Sequence, residues 1–204
     1  MLNWLYPDMK RIFDIVFSLA LLLILLPLFI VIGISVALDS RGGIFFGQVR
    51  VGIHRKEFRL WKFRTMRPQS EKQGQLTVGT NDSRITRVGS ILRKYKVDEL
   101  PQLWNVLVGE MSIVGPRPEV PRYVNMYNDE QLGVLSIKPG ITDYASLLYF
   151  EENDLLAKSP DPEKTYIEEI MPSKLRLNLN YVKEHNFTTD LKIIRDTVIR
   201  IFKG

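Results

Sequence analysis

Asp98 and Glu99 stand side by side in KVDELPQLWNVL, followed at once by Pro101 and an apolar pattern of helical spacing. An ionised carboxylate can attack phosphorus or hold a hard cation. Arg93, Lys94 and Lys96 surround the pair in sequence and favour the charged form. Successive residues on a helix point about 100° apart, so one carboxylate can be the nucleophile while the other ligates a divalent metal. A plainer reading is equally open. Aspartate is a favoured helix N-cap and proline is tolerated in the first turn, so the same residues could simply start a helix.

The second constellation is Gly115, Pro116, Arg117 and Pro118, in which two prolines fix the backbone on either side of one guanidinium. A planar fork fits a phosphate in a bidentate manner, and preorganisation reduces the entropy lost on binding. A proline-rich turn holding a bystander arginine is the alternative. A third set lies in EFRLWKFRTM, where strand alternation puts Arg59, Trp61 and Phe63 on one face and Leu60, Lys62 and Arg64 on the other. Lys62 and Arg64 can then converge on one anion, or form a solvated strand face. The sequence contains neither a GxxxxGK loop nor a GxGxxG fingerprint, so phosphates must be held by side chains. With no cysteine and two isolated histidines, disulfides, thiolate chemistry and a zinc cluster are excluded.

These residues need a scaffold, and 204 residues suffice for one modest catalytic unit. Hydrophobic residues make up 45% and charged residues 25%, the mixture of a folded chain, and a net charge of +5 favours anionic partners. Residues 15–38 contain no charge and are long enough to enter a hydrocarbon core of about 30 Å. The run exceeds the apolar core of a cleavable signal peptide. Pro27 interrupts it, and basic residues flank both ends: Lys10 and Arg11 before, Arg41, Arg50, Arg55 and Lys56 after. Two geometries are open, a hairpin that dips into one leaflet and returns, and a kinked span. Asp14 at headgroup depth can pair with Lys10 or Arg11. A β-hairpin, IFFGQVRVG and EFRLWKFRTM joined by IHRK, follows. Residues 68–83 read as a mobile polar loop able to close over a substrate. Residues 161–185 read as helices interrupted at Pro172, and a final basic amphipathic helix carries Leu191, Ile194, Val198 and Ile201, to lie on the bilayer or pack on the core.

KRIFDIVFSLALLLILLPLFI, LWKFRTM, KVDELPQLWNVLVGEMSIVGPRPEV, KPGIT and DLKII, in this order, closely resemble the bacterial sugar transferases, the monotopic polyprenyl-phosphate phosphoglycosyl transferases. The resemblance implies a mainly helical α+β fold: a re-entrant membrane helix broken at Pro27 within residues 1–40, then a catalytic domain at residues 41–204 with a small β-hairpin and amphipathic interfacial helices. It implies Asp98 as nucleophile, Glu99 helping to bind Mg²⁺ beside it, and Lys62, Arg64, Arg93 and Arg117 as phosphate-binding residues, with Pro27, Pro116 and Pro118 as structural motif positions. The expected partners are a nucleotide sugar donor, usually a UDP-sugar, a polyprenyl (undecaprenyl) phosphate acceptor and the lipid bilayer. The expected location is the cytosolic face of the bacterial inner membrane. Two departures stand out: Leu26 replaces the serine many members place before the helix-breaking proline, and DYASLLYFEEN follows KPGIT where many continue with a Gly-Trp-Ala-Gln type of segment. A non-catalytic, membrane-anchored protein that binds anionic lipid or a partner is the alternative. Nucleic acid is not expected, because aromatics are not interleaved with an extended basic tract.

Overall fold

The computed structural model describes residues 6–68, 70 and 82–203; most of the loop expected at 68–83 lies outside the described residues. Two apolar helices open the chain, α1 (Tyr6–Ile24) and α2 (Leu26–Asp39), meeting at a 62° bend. Neither helix alone is long and apolar enough to cross a membrane, although the bent pair passes that test together. The break falls at Leu25, whose φ of −86° and ψ of 1° leave the helix. Pro27 sits two residues later, in the first turn of α2. A proline ring clashes with the carbonyl four residues earlier, so the bend must precede it, and in a first turn its missing N–H is not needed.

Both helices turn apolar side chains outward. Met9, Ile12, Val16, Leu19 and Leu23 of α1, and Leu28, Val31, Ile34 and Leu38 of α2, are exposed. The inward face of α1 carries Phe13, Phe17 and Leu21 onto the main core, together with buried Asp14 and Ser18. The pairing of Asp14 with Lys10 or Arg11 that their proximity in sequence suggests does not form. Asp14 Oδ1 accepts the Ile113 N–H at 3.0 Å, Arg11 donates to the Val106 and Leu107 carbonyls, and Lys10 pairs with Asp190. Three polar side chains of one helix thus clamp α1 to the rest of the fold.

The hairpin forms as the alternation predicts: β1 (Phe45–Val51) and β2 (Glu57–Phe63) are antiparallel, with Phe45 opposite Phe63 and Val51 opposite Glu57. Phe58 and Leu60 face the core, while Phe63 is buried on the opposite side against Phe29 and α2. Then follow α3 (Arg87–Lys94), a 3-10 turn at Val97–Glu99, α4 (Gln102–Val108), β3 (Ser112–Val114) and α5 (Pro121–Val124). Next come β4 (Gly140–Thr142), α6 (Tyr144–Leu148), α7 (Glu152–Ala157), α8 (Pro162–Thr165), α9 (Met171–Glu184) and α10 (Phe187–Lys203).

Two expectations change. A second sheet, β3 parallel to β4, was not legible, because strands of three residues show too few alternations to register. Pro172 does not interrupt its helix either: a π-turn at Tyr166–Ile170 runs directly into α9, with Pro172 in that helix's first turn. A wide turn relieves the clash that a proline imposes in regular α geometry.

The final helix divides its faces. Asp190 and Ile193 are buried, whereas Leu191, Val198, Ile199 and Phe202 are exposed. Asp190 receives Lys10 at 2.5 Å, Tyr6 at 2.7 Å and Tyr181 at 2.6 Å, a buried polar knot joining α1, α9 and α10.

The parallel pair depends on backbone contact. A Cβ at Gly140 would stand 2.1 Å from the Gly115 nitrogen, and one at Gly115 would stand 2.5 Å from the Lys138 carbonyl oxygen. Gly140→Ala is therefore expected to destabilise the fold by about 1–3 kcal/mol and to displace the Gly115–Pro118 segment, read as a lower Tm. An unchanged Tm would show that the two strands separate freely.

Candidate active site

The carboxylate pair occupies the 3-10 turn before α4 rather than the cap of that helix. Pro101 is the N-cap residue, with no side-chain hydrogen bond. Lys96, at a left-handed φ of 56°, turns the chain out of α3 and into the pair, a conformation uncommon for a residue with a Cβ. The capping explanation for Asp98 and Glu99 is thus absent from the geometry.

The two carboxylates have opposite surroundings. Glu99 is locked: Oε1 accepts Lys62 Nζ at 2.8 Å and also Arg117 Nη2, while Oε2 accepts Arg117 Nη1 at 3.1 Å. Asp98, 6% exposed, makes no hydrogen bond or ion pair through its side chain among the described residues. Burial pushes the Asp98 carboxyl above the ordinary aspartate range, against the pull of Lys62. For Glu99, burial acts in the same direction, but the charges and hydrogen bonds of Arg117 and Lys62 outweigh it and hold the carboxyl well below its usual range. One carboxylate is fixed by two cations, and its neighbour has no hydrogen bond or ion pair through its side chain among the described residues.

Long-range contacts make this arrangement. Asn105, fully buried on α4, accepts the Trp61 N–H at 3.1 Å and donates to the Arg59 carbonyl at 2.7 Å, gripping the backbone of β2. That grip holds Lys62 opposite Glu99. Arg117 is set from the other side, where its backbone N–H donates to Asp143 Oδ2 at 2.7 Å just after β4. Val51 pairs with Glu119, tying the hairpin to the proline-flanked segment, and Arg50 donates to the Pro118 carbonyl at 3.1 Å.

Arg93 projects from α3 and donates from Nε to Thr65 Oγ1 at 2.9 Å. Burial lowers its pKa, countered first by Asp98. Arg64 takes a different post. Its Nη2 reaches the Ser40 carbonyl at 2.6 Å and the Val36 carbonyl at 3.3 Å, closing the C-terminus of α2. Its Nε and Nη1 are buried without a hydrogen-bond partner among the described residues. Lys62 and Arg64 therefore do not share a protein partner, although both line the same cavity. Pro116 and Pro118 flank in sequence the Arg117 that lines that cavity, and Pro27 lies in the bent helix pair. Asp39 at the end of α2 accepts the Val88 N–H at 2.9 Å, so the helix that carries Arg93 is also tied to the apolar pair.

The cavity has a volume of about 990 Å³ and includes Lys62, Arg64, Arg93, Asp98, Glu99 and Arg117 in its walls. Among the described residues no group of three or more metal-ligating side chains occurs. The donor set still fits a hard cation of the kind that keeps most of its water and takes one or two carboxylates plus substrate phosphates. Asp98 offers open oxygen lone pairs for it, whereas Glu99 has three of its roughly four acceptor positions taken by cations.

A family model described as bacterial sugar transferase matches residues 5–204. The chain belongs to that family. It is 35% identical over 207 residues to the UDP-glucose:undecaprenyl-phosphate glucose-1-phosphate transferase of Klebsiella pneumoniae, covering 100% of this chain and 41% of that protein. It is 32% identical over 203 residues to the UDP-N-acetylgalactosamine-undecaprenyl-phosphate N-acetylgalactosaminephosphotransferase of Aeromonas hydrophila, covering 98% of this chain and 45% of the relative. A third relative, an uncharacterized sugar transferase of Bacillus subtilis (strain 168), is 36% identical over 193 residues, 95% of this chain and 87% of its own length. The chain spans less than half the length of the first two.

In this bacterial sugar transferase the supporting residues escaped sequence reasoning. Asn105 sits inside an apolar helical run, where its residue type gives no sign of burial; its three-residue spacing from Gln102, also fully buried, is a signal that could have found it. Asp143 caps α6 through the Ser146 N–H, and its second oxygen does the positioning.

Proposed function

We propose that this protein transfers a sugar phosphate from a nucleotide diphosphate sugar, of the UDP-sugar class, to polyprenyl (undecaprenyl) phosphate through a covalent aspartyl intermediate. The observation that carries the proposal is the unpaired, buried Asp98 carboxylate beside a Glu99 that Lys62 and Arg117 already neutralise. The names of the relatives support the donor and acceptor classes.

An Asp98 oxygen attacks the sugar-bearing phosphorus, and the bond from that phosphorus to the oxygen of the nucleoside monophosphate breaks. The monophosphate leaves with the bonding pair. An oxygen of the polyprenyl phosphate then attacks the same phosphorus, the acyl phosphate bond breaks, and Asp98 returns as a carboxylate. Arg93 and Arg117 face the phosphates, and Lys62 keeps Glu99 from repelling them. Mg²⁺ held by Asp98 and substrate oxygens would supply charge neutralisation for the diphosphate and its leaving group. The exposed apolar faces of α1, α2 and α10 support insertion from one side of the bilayer, which brings the cavity to the headgroup plane where a carrier phosphate lies.

Purified protein given donor alone is expected to release nucleoside monophosphate up to one equivalent in a magnesium-dependent burst, with turnover only when polyprenyl phosphate is added. Release that requires both substrates together would exclude the two-step route. For topology, cysteines introduced around Asn3 and Ser40 are expected to react with impermeant reagent from the cytosolic face only. Labelling from opposite faces would establish a true span.

A further inference from the structure

The cavity has two chemically different ends. Around Asp98 arginines dominate the wall, with Arg64, Arg67, Arg93 and an Arg84 that pairs with Asp82 at 2.6 Å. At the other end the charges cancel in place. Arg50 donates to Glu119 Oε1 at 2.8 Å and to Gln48 Oε1 at 2.8 Å, and Lys174 pairs with Glu152 at 2.7 Å. Tyr166 donates to Glu119 Oε2 at 2.5 Å, and Tyr127 and Tyr149 add aromatic surface to the wall. An anion gains little there, whereas a neutral ring bearing hydroxyls finds flat apolar faces and polar edges.

One face of α9 runs along this end, with Met171, Lys174, Leu175 and Asn178 at three- and four-residue spacing, all lining the cavity. Asn178 is 4% exposed, and its Oδ1 has no hydrogen-bond partner among the described residues. Ser146 Oγ, on α6, which packs against α9, is also buried and without a partner among the described residues, in the same wall. Two unsatisfied polar atoms in a cavity are costly unless a ligand or ordered water completes them. Neither residue contributes to the phosphate end.

We propose that Asn178 and Ser146 form the sugar subsite of the donor, with Asn178 Oδ1 accepting from a hydroxyl or amide N–H of the pyranose and Ser146 Oγ bonding a neighbouring ring substituent. This rests on the transfer reading above and adds which residues select the sugar. A site built to hydrogen-bond a substituent discriminates against donors that lack it or present it in the other configuration, because its own polar groups are then left unpaired.

The test compares wild type with Asn178→Ala and Ser146→Ala on UDP-glucose, UDP-galactose, UDP-N-acetylglucosamine and UDP-N-acetylgalactosamine, using UDP alone as a competitive inhibitor. Asn178→Ala should raise KM for the preferred donor about tenfold and change the ratio of kcat/KM between donors, while inhibition by UDP stays at the wild-type level. Ser146→Ala should move the same quantities less, and it carries the test if Asn178→Ala does not fold. Wild-type KM values for every donor in both variants, or UDP inhibition weakening in step with KM, would overturn the subsite, as would a water merely filling the gap. Wild-type protein that releases nucleoside monophosphate from no donor would instead refute the transfer reading itself.

Discussion

Asp98→Asn protein is expected to fold normally and to lose at least about 10⁴-fold in turnover, because an amide of the same shape cannot attack phosphorus. Stability should move the other way. Burial raises the Asp98 pKa in the folded state, so the ionised carboxylate is disfavoured by folding. The protonated form's contribution to stability is present below the unfolded pKa and is lost as pH rises through the folded one. A neutral amide carries no such penalty, so the variant's Tm at pH 8 should equal or exceed that of wild type, with the advantage shrinking toward pH 4. The same shift sets the acid limb of the wild-type rate profile. Activity needs the carboxylate, so it should fall as pH drops, with a midpoint above the 3.8 of an ordinary aspartate. Mass spectrometry of wild type held with donor alone should find the phosphosugar on residue 98. Full activity in the variant would remove Asp98 from the reaction and the covalent route with it.

The parts of this site that were legible in the sequence are those whose signal is local. The bend was announced by Pro27 inside an uncharged run, and the hairpin by alternation over two strands of seven residues. Asp98, Glu99 and Arg117 were singled out by residue type and by prolines that fix a backbone. What stayed hidden is long-range. Glu99 meets Lys62 across 37 residues and Arg117 across 18, and no periodicity encodes either distance. Asp14 appeared to have cationic neighbours on its own helix, yet the Ile113 N–H, 99 residues away, takes its carboxylate. Arg64 illustrates the same point: alternation placed it beside Lys62, but the C-terminus of α2 offered carbonyls and a helix dipole that attract a guanidinium. Tertiary partners decide where a long cationic side chain ends, and the sequence decides only the face from which it starts.

Glu99→Gln should be the most destabilising single change in the site. The substitution leaves Lys62 and Arg117, whose side chains are 19% and 29% exposed, without the carboxylate that both address. Removing one member of a largely buried ionic group costs about 3–5 kcal/mol, since the remaining charges stay desolvated. For a chain of this size that corresponds to a Tm lower by roughly 10 °C. The pH dependence follows from the sign of the shift. Glu99 has a folded pKa held below its unfolded value of 4.5, so its contribution is present above pH 4.5 and disappears as pH falls through the folded pKa. The stability gap between wild type and Glu99→Gln should therefore be full at pH 7 and narrow below pH 4.5. Activity should drop about 10²-fold, because Arg117 and Lys62 lose the geometry that Glu99 imposes. Adding Arg117→Ala to Glu99→Gln should then cost less than the two single losses combined, since both act through one ionic cluster. A Glu99→Gln protein with wild-type Tm and a raised magnesium requirement would give the opposite answer: Glu99 would then serve the cation directly, and the contacts with Lys62 and Arg117 would be secondary to it.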